Sequence, residues 1–167
     1  MLAAARQSDV QQVGQLLKQG AAVDSRNRPG KTVRLMACER GDSTLAELLV
    51  DQDAKVNLAS VAGVTPLMAA SFAGQAALVR QSLAAGARIK TIDRLHKPAV
   101  VYAAGQGHAE LVRLLLARGA CRALRDDRGL TALDIAKGAG QPAVAAVLEA
   151  ATAATPPSPK PAKSSPA

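Results

Sequence analysis

The sequence predicts an all-α solenoid of about five stacked helix-turn-helix units with protruding finger loops over residues 1–150, followed by a short tail. Three observations carry this expectation. The first is a period of 33 residues: Gly41, Gly74, Gly107 and Gly140 fall on it, as do Ala37, Ala70, Ala103 and Ala136, and Ala21, Ala54, Ala87 and Ala120. Self-similarity at such a period marks arrays whose units cannot bury an apolar face alone. The second is two columns with one departure each: Thr32, Thr65, Pro98, Thr131, and Leu16, Leu49, Ser82, Leu115, Leu148. The third is composition. The chain is 49% hydrophobic but 1% aromatic, with one Phe and one Tyr, so the core is built from Ala, Leu and Val, which suit closely packed helices.

The units run about 1–26, 27–59, 60–92, 93–125 and 126–150. The first starts abruptly at Met1 without a preceding finger. The second departs from the pattern twice. Arg34 falls where Leu67, Val100 and Leu133 stand and must snorkel or pair, because a buried unpaired charge is costly. Asp53 replaces the closing glycine seen at Gly20, Gly86 and Gly119, and tolerates the left-handed region less well. Unit two is therefore expected to be the least stable interior unit; drift in a degenerate array and a selected contact with a partner both account for these departures.

The third unit is the fullest. Thr65 caps a short helix with Pro66 in its first turn, and Gly74 breaks it. A second helix follows over Ala76–Ala85, with Leu78, Val79 and Leu83 on one face, and Gly86 ends it as a left-handed cap. Residues 87–96 then reach outward as a finger. In the fourth unit Pro98 takes the Thr position, and in the fifth Glu149 stands where Val50, Leu83 and Leu116 are, as suits a cap. Residues 151–167 hold five prolines, two lysines and no large apolar side chain, the composition of a disordered tail.

This pattern resembles the ankyrin repeats, matched most fully by Gly63-Val64-Thr65-Pro66-Leu67 through Ala70, Gly74, Val79, Leu83 and Gly86-Ala87. The resemblance covers residues 1 to about 150. It implies non-enzymatic protein binding through a concave side formed by finger tips and the exposed face of each first helix. The positions carried over are Arg26, Arg28, Lys31, Glu39 and Arg40; Ala59, Val61, Ala62, Val64, Phe72 and Ala73; Ile92, Arg94, Leu95, Lys97 and Gln106; and Arg125, Asp127 and Arg128. The middle is apolar and the flanks are basic, an anchor inside a polar rim. The partner-binding set is Arg26, Arg28, Lys31, Arg40, Val61, Val64, Phe72, Arg94, Leu95, Lys97, Arg125 and Arg128. Phe72 is the expected anchor, either exposed or folded back over Ala73 and the adjacent finger.

Charge supports the same side. The net charge is +8, and the segments 22–31, 55–64, 88–97 and 121–130 contribute eleven basic and four acidic residues: a stripe of Arg26, Arg28, Lys31, Lys55, Arg88, Lys90, Arg94, Lys97, Arg122, Arg125 and Arg128. An acidic protein partner with an apolar anchor fits it. The alternative is a nucleic acid or other polyanion on the stripe and tail, against which stand the missing stacking platforms and groove-reading motifs.

Catalytic chemistry has little to work with. His96 takes a finger position held elsewhere by Gly30, Gly63 and Gly129 and reads as a turn residue; His108 has a structural or solvent role. No catalytic, metal or cofactor set is expected. Gly138-Ala139-Gly140-Gln141-Pro142-Ala143 fits a dinucleotide fingerprint but joins two repeat helices instead of a strand and a helix. Pro156-x-x-Pro159 reads as tail composition before it reads as a ligand for a proline-binding domain. Cys38 and Cys121 lie more than two repeats apart, roughly 20 Å at about 8–10 Å per layer, so two free thiols are expected. The expected protein is a monomer with no membrane span and no secretory signal, in the cytoplasm, or in the periplasm or exported where an N-terminal signal has been removed or missed. Richness in Ala, Arg, Gly and Pro suggests a GC-rich bacterial genome.

Overall fold

The computed structural model describes residues 1–153. Among these residues ten helices form five packed pairs: α1 (Leu2–Arg6) with α2 (Val10–Lys18), α3 (Val33–Arg40) with α4 (Ser43–Asp51), α5 (Pro66–Phe72) with α6 (Ala76–Ala84), α7 (Ala99–Gly105) with α8 (Ala109–Ala117), and α9 (Ala132–Gly138) with α10 (Pro142–Ala153). The first helices stack in one row, α1 on α3 and onward to α9, while α2, α4 and α6 pack in sequence behind them and α8 against α10. Among the described residues there is no strand; only two isolated bridges, Arg26–Thr32 and Ile92–Pro98, pinch fingers. The last helix runs three residues past the expected boundary at 150. The remainder of the expected tail, with Pro156-x-x-Pro159, lies outside the described residues.

The columns now have causes. Ala37, Ala70, Ala103 and Ala136 are enclosed where the inner helices meet, and their small side chains permit the close approach. Leu49, Leu115 and Leu148 fill the layer behind, where Ser82 is the departure. Thr32, Thr65 and Thr131 each accept a hydrogen bond from the backbone N–H three residues on, at 3.2–3.3 Å, satisfying an otherwise orphan donor. At Thr131 the cap is reciprocal, since Asp134 Oδ2 accepts the Thr131 N–H at 2.9 Å. Pro98 makes no such bond. The outer helices α2 and α4 are capped by Asp9 and Asp42, acceptors not anticipated from the sequence.

Between pairs the chain makes a hairpin finger from another 33-residue column, Asn27, Ser60, Asp93 and Asp126. Each donates its N–H to the carbonyl four residues on and accepts at its own carbonyl from the residue three on. The third-following residue is left-handed: Gly30, Gly63, Gly129, and His96 at φ 58°. His96 is thus the turn residue its position predicts. Asp53 is left-handed as well, at φ 59°, in the place of Gly20, Gly86 and Gly119. Both cysteines are free, Cys38 buried and Cys121 exposed.

Candidate functional site

Successive fingers are tied into a row by their tips. Val61 N–H donates to the Pro29 carbonyl at 2.9 Å, Arg94 N–H to Ala62 at 3.1 Å, and Asp127 N–H to Leu95 at 3.1 Å. Under this row lies a cavity of about 360 Å³ lined by Glu39 of α3, Met68, Ala69 and Phe72 of α5, Tyr102 of α7 and Val64 at the foot of the third finger. Phe72 closes α5 two residues before the left-handed Gly74, and 53% of it is exposed.

Phe72 meets Tyr102 edge-on, with ring centroids 6.2 Å apart and planes at 80°. Tyr102 is held from the other end, its hydroxyl donating to Asp93 Oδ2. Asp93 is itself buried and takes the Leu95 and Lys97 N–H groups on Oδ1. Burial, then the Asp93 hydrogen bond and charge, push the Tyr102 phenol up, so it remains a neutral donor. His108 fixes the Phe72 backbone: its Nε2 lies 3.1 Å from the Phe72 carbonyl oxygen, a bond made by the Nε2–H tautomer.

The expected partner-binding residues fall into three groups. Val61 (54%), Leu95 (46%) and Phe72 are exposed apolar side chains, with Val64 half-buried beside them; Ile92 adds a further apolar tip at 38%. Arg28, Arg94 and Lys97 have side chains with no ion or hydrogen-bond partner among the described residues. The others are engaged within the chain: Lys31 pairs with Glu39 at 2.7 Å, Arg128 with the buried Asp126 at 2.8 Å, and Arg26, Arg40 and Arg125 donate to the carbonyls of Ala59, Ala5 and Gly129.

The stripe is not one line. Lys55 and Arg88 follow directly on the turns that close α4 and α6 and line a separate groove with Asp53 and Asn57, whereas Arg28, Arg94 and Arg128 stand at finger tips. Tyr102 and Asp93 were missed by sequence reasoning. The available signal was that Tyr102 stands one helical turn before the Phe72 column in the following unit, where stacking brings the two rings together. No group of three or more His, Cys, Asp or Glu side chains among the described residues is arranged to hold a metal, and no helix there is long and apolar enough to cross a membrane.

The family model described as ankyrin repeats (three copies) matches this chain over residues 1–93 and again over 68–155. No curated protein matches it.

Proposed function

Because the chain belongs to the ankyrin-repeat family, whose repeats generally mediate protein–protein interaction, we propose that it is a monomeric, non-enzymatic binding module whose finger-tip face takes an acidic protein segment carrying one apolar anchor. The observation that supports this most is Phe72: a large apolar ring, half-exposed, braced by Tyr102 and His108, at the mouth of an apolar cavity. A braced ring loses little freedom on binding, which favours an anchor role. Arg28, Arg94 and Lys97 flank it as unengaged cations, suited to a rim that steers an acidic partner.

The Phe72→Asp variant tests this in a pull-down from nuclease-treated lysate, with bound proteins identified by mass spectrometry. The expected result is loss of a specific protein, and a fall in its affinity of roughly thirtyfold, about 2 kcal/mol, with the thermal midpoint little changed. Full retention by a normally folded Phe72→Asp refutes the anchor. Binding that vanishes with nuclease and falls with a log–log salt slope of about −0.9 per phosphate contact points instead to a polyanion on the basic stripe.

A further inference from the structure

We infer that the array consists of two cooperative blocks, α1–α4 and α5–α10, separated by an incompletely satisfied packing layer, so that the first block opens and orders independently of the second. In the 33-residue register Arg34 takes the inner-helix position of Leu67 and Val100, and Ser82 the outer-helix position of Leu115 and Leu148; across units two and three the Cys38 thiol lies beside the Ser82 hydroxyl. All three are enclosed, Arg34 being 1% exposed. The Arg34 Nη1 donates to the Ala46 carbonyl at 3.3 Å, while Nε and Nη2 reach no acceptor. Ser82 Oγ has no partner better than the weak thiol of Cys38 beside it.

Arg34 for Leu and Ser82 for Leu keep the layer filled while leaving a cation without a carboxylate. Burial accordingly lowers the Arg34 pKa, and burial, against the Arg34 charge, holds the Cys38 thiol up at about 11. Such a layer favours separation, which returns the guanidinium to water. The left-handed Asp53 closing α4 weakens the same unit from its other end. In a linear array each unit is held only by its neighbours, so one weak layer divides cooperativity into sub-global units.

The consequence for function rests on the binding face proposed above. Arg28, Lys31 and Arg40 ride on the first block, and Phe72, Tyr102 and Arg94 on the second. A partner bridging them orders the first block as it binds.

Cys38 reports the opening. In the full chain carrying Cys121→Ser it is the only thiol, and an aromatic disulfide reagent labels it by thiolate attack, forming a protein–reagent disulfide and releasing the reagent's thiolate. Without partner or denaturant, labelling is expected at least about tenfold faster than global unfolding permits, with a shallower urea slope than the circular-dichroism transition. The double variant Arg34→Leu/Ser82→Leu is expected to slow it at least about tenfold. Amide hydrogen exchange on the unaltered chain is expected to open α1–α4 before α5–α10, and decides the matter should the double variant not fold. Labelling or exchange that follows the global slope in both blocks overturns the inference, as does wild-type labelling of a folded double variant. These readouts need no partner, so their failure is distinct from failure of the Phe72 test.

Discussion

At Asp53 the backbone is left-handed without a glycine, and a Cβ built on the equivalent Gly20, Gly86 and Gly119 meets nothing within 4 Å. The penalty at Asp53 is therefore conformational and not steric. Asp53→Gly should stabilise the chain by about 1 kcal/mol, read as a higher urea midpoint at constant slope. Gly74 is the opposite case. At φ 74°, a Cβ there would lie 2.6 Å from the His108 ring that holds the Phe72 carbonyl. Gly74→Ala should cost about 1–3 kcal/mol and weaken partner affinity as well, because relief comes only by moving the ring that braces the anchor.

Among elements, the fifth unit carries the clearest pH dependence. Hydrogen bonds from the Thr131 hydroxyl and N–H hold the Asp134 carboxyl below its ordinary value. Burial works against ionisation at Asp126, yet the N–H groups of Leu130 and Arg128 and the Arg128 guanidinium prevail and hold it low. A carboxyl depressed in the folded state contributes stability that is present above its unfolded pKa of about 3.9 and is lost as pH falls through the folded value. Urea midpoints should drop below about pH 4, first in exchange of α9 and α10, and Asp126→Asn should flatten that limb. Asn27 already fills the same column, its Oδ1 accepting the Lys31 N–H at 2.9 Å.

The element scale also separates what was legible from what was not. Inner-helix caps were readable because one residue type, Thr, recurs. The finger column of Asn27, Ser60, Asp93 and Asp126 recurs by chemistry and not by identity, and a search for repeated letters passes over it. The outer caps Asp9 and Asp42 give way at the same position to Gln75, His108 and Gln141, whose side chains instead lie over Gly41, Gly74 and Gly107, each the turn glycine of the unit before.

For the molecule as a whole, the repeat fixes stacking, and stacking brings residues of different units together. Phe72 was legible because a lone Phe in an exposed column stands out. Tyr102 was not, since its meeting with Phe72 depends on how far one unit is displaced over the next. The basic stripe read from the chain as one feature because sequence order does not distinguish a finger's tip from its base. Reversing the tip cations with Arg28→Glu/Arg94→Glu should slow partner association and reduce its salt dependence, while Lys55→Glu/Arg88→Glu at the other groove should leave both unchanged.

The hydrogen-bonded row of finger tips also acts as a ruler. Neighbouring units stand about 8–10 Å apart, as packed helices do. A helix rising 1.5 Å per residue advances about 10.5 Å in seven residues, and an extended strand about 10 Å in three. A helical partner lying along the row would therefore meet successive fingers with every seventh residue, and an extended one with every third. The interval between the partner residues that binding protects thus tells a helix from a strand.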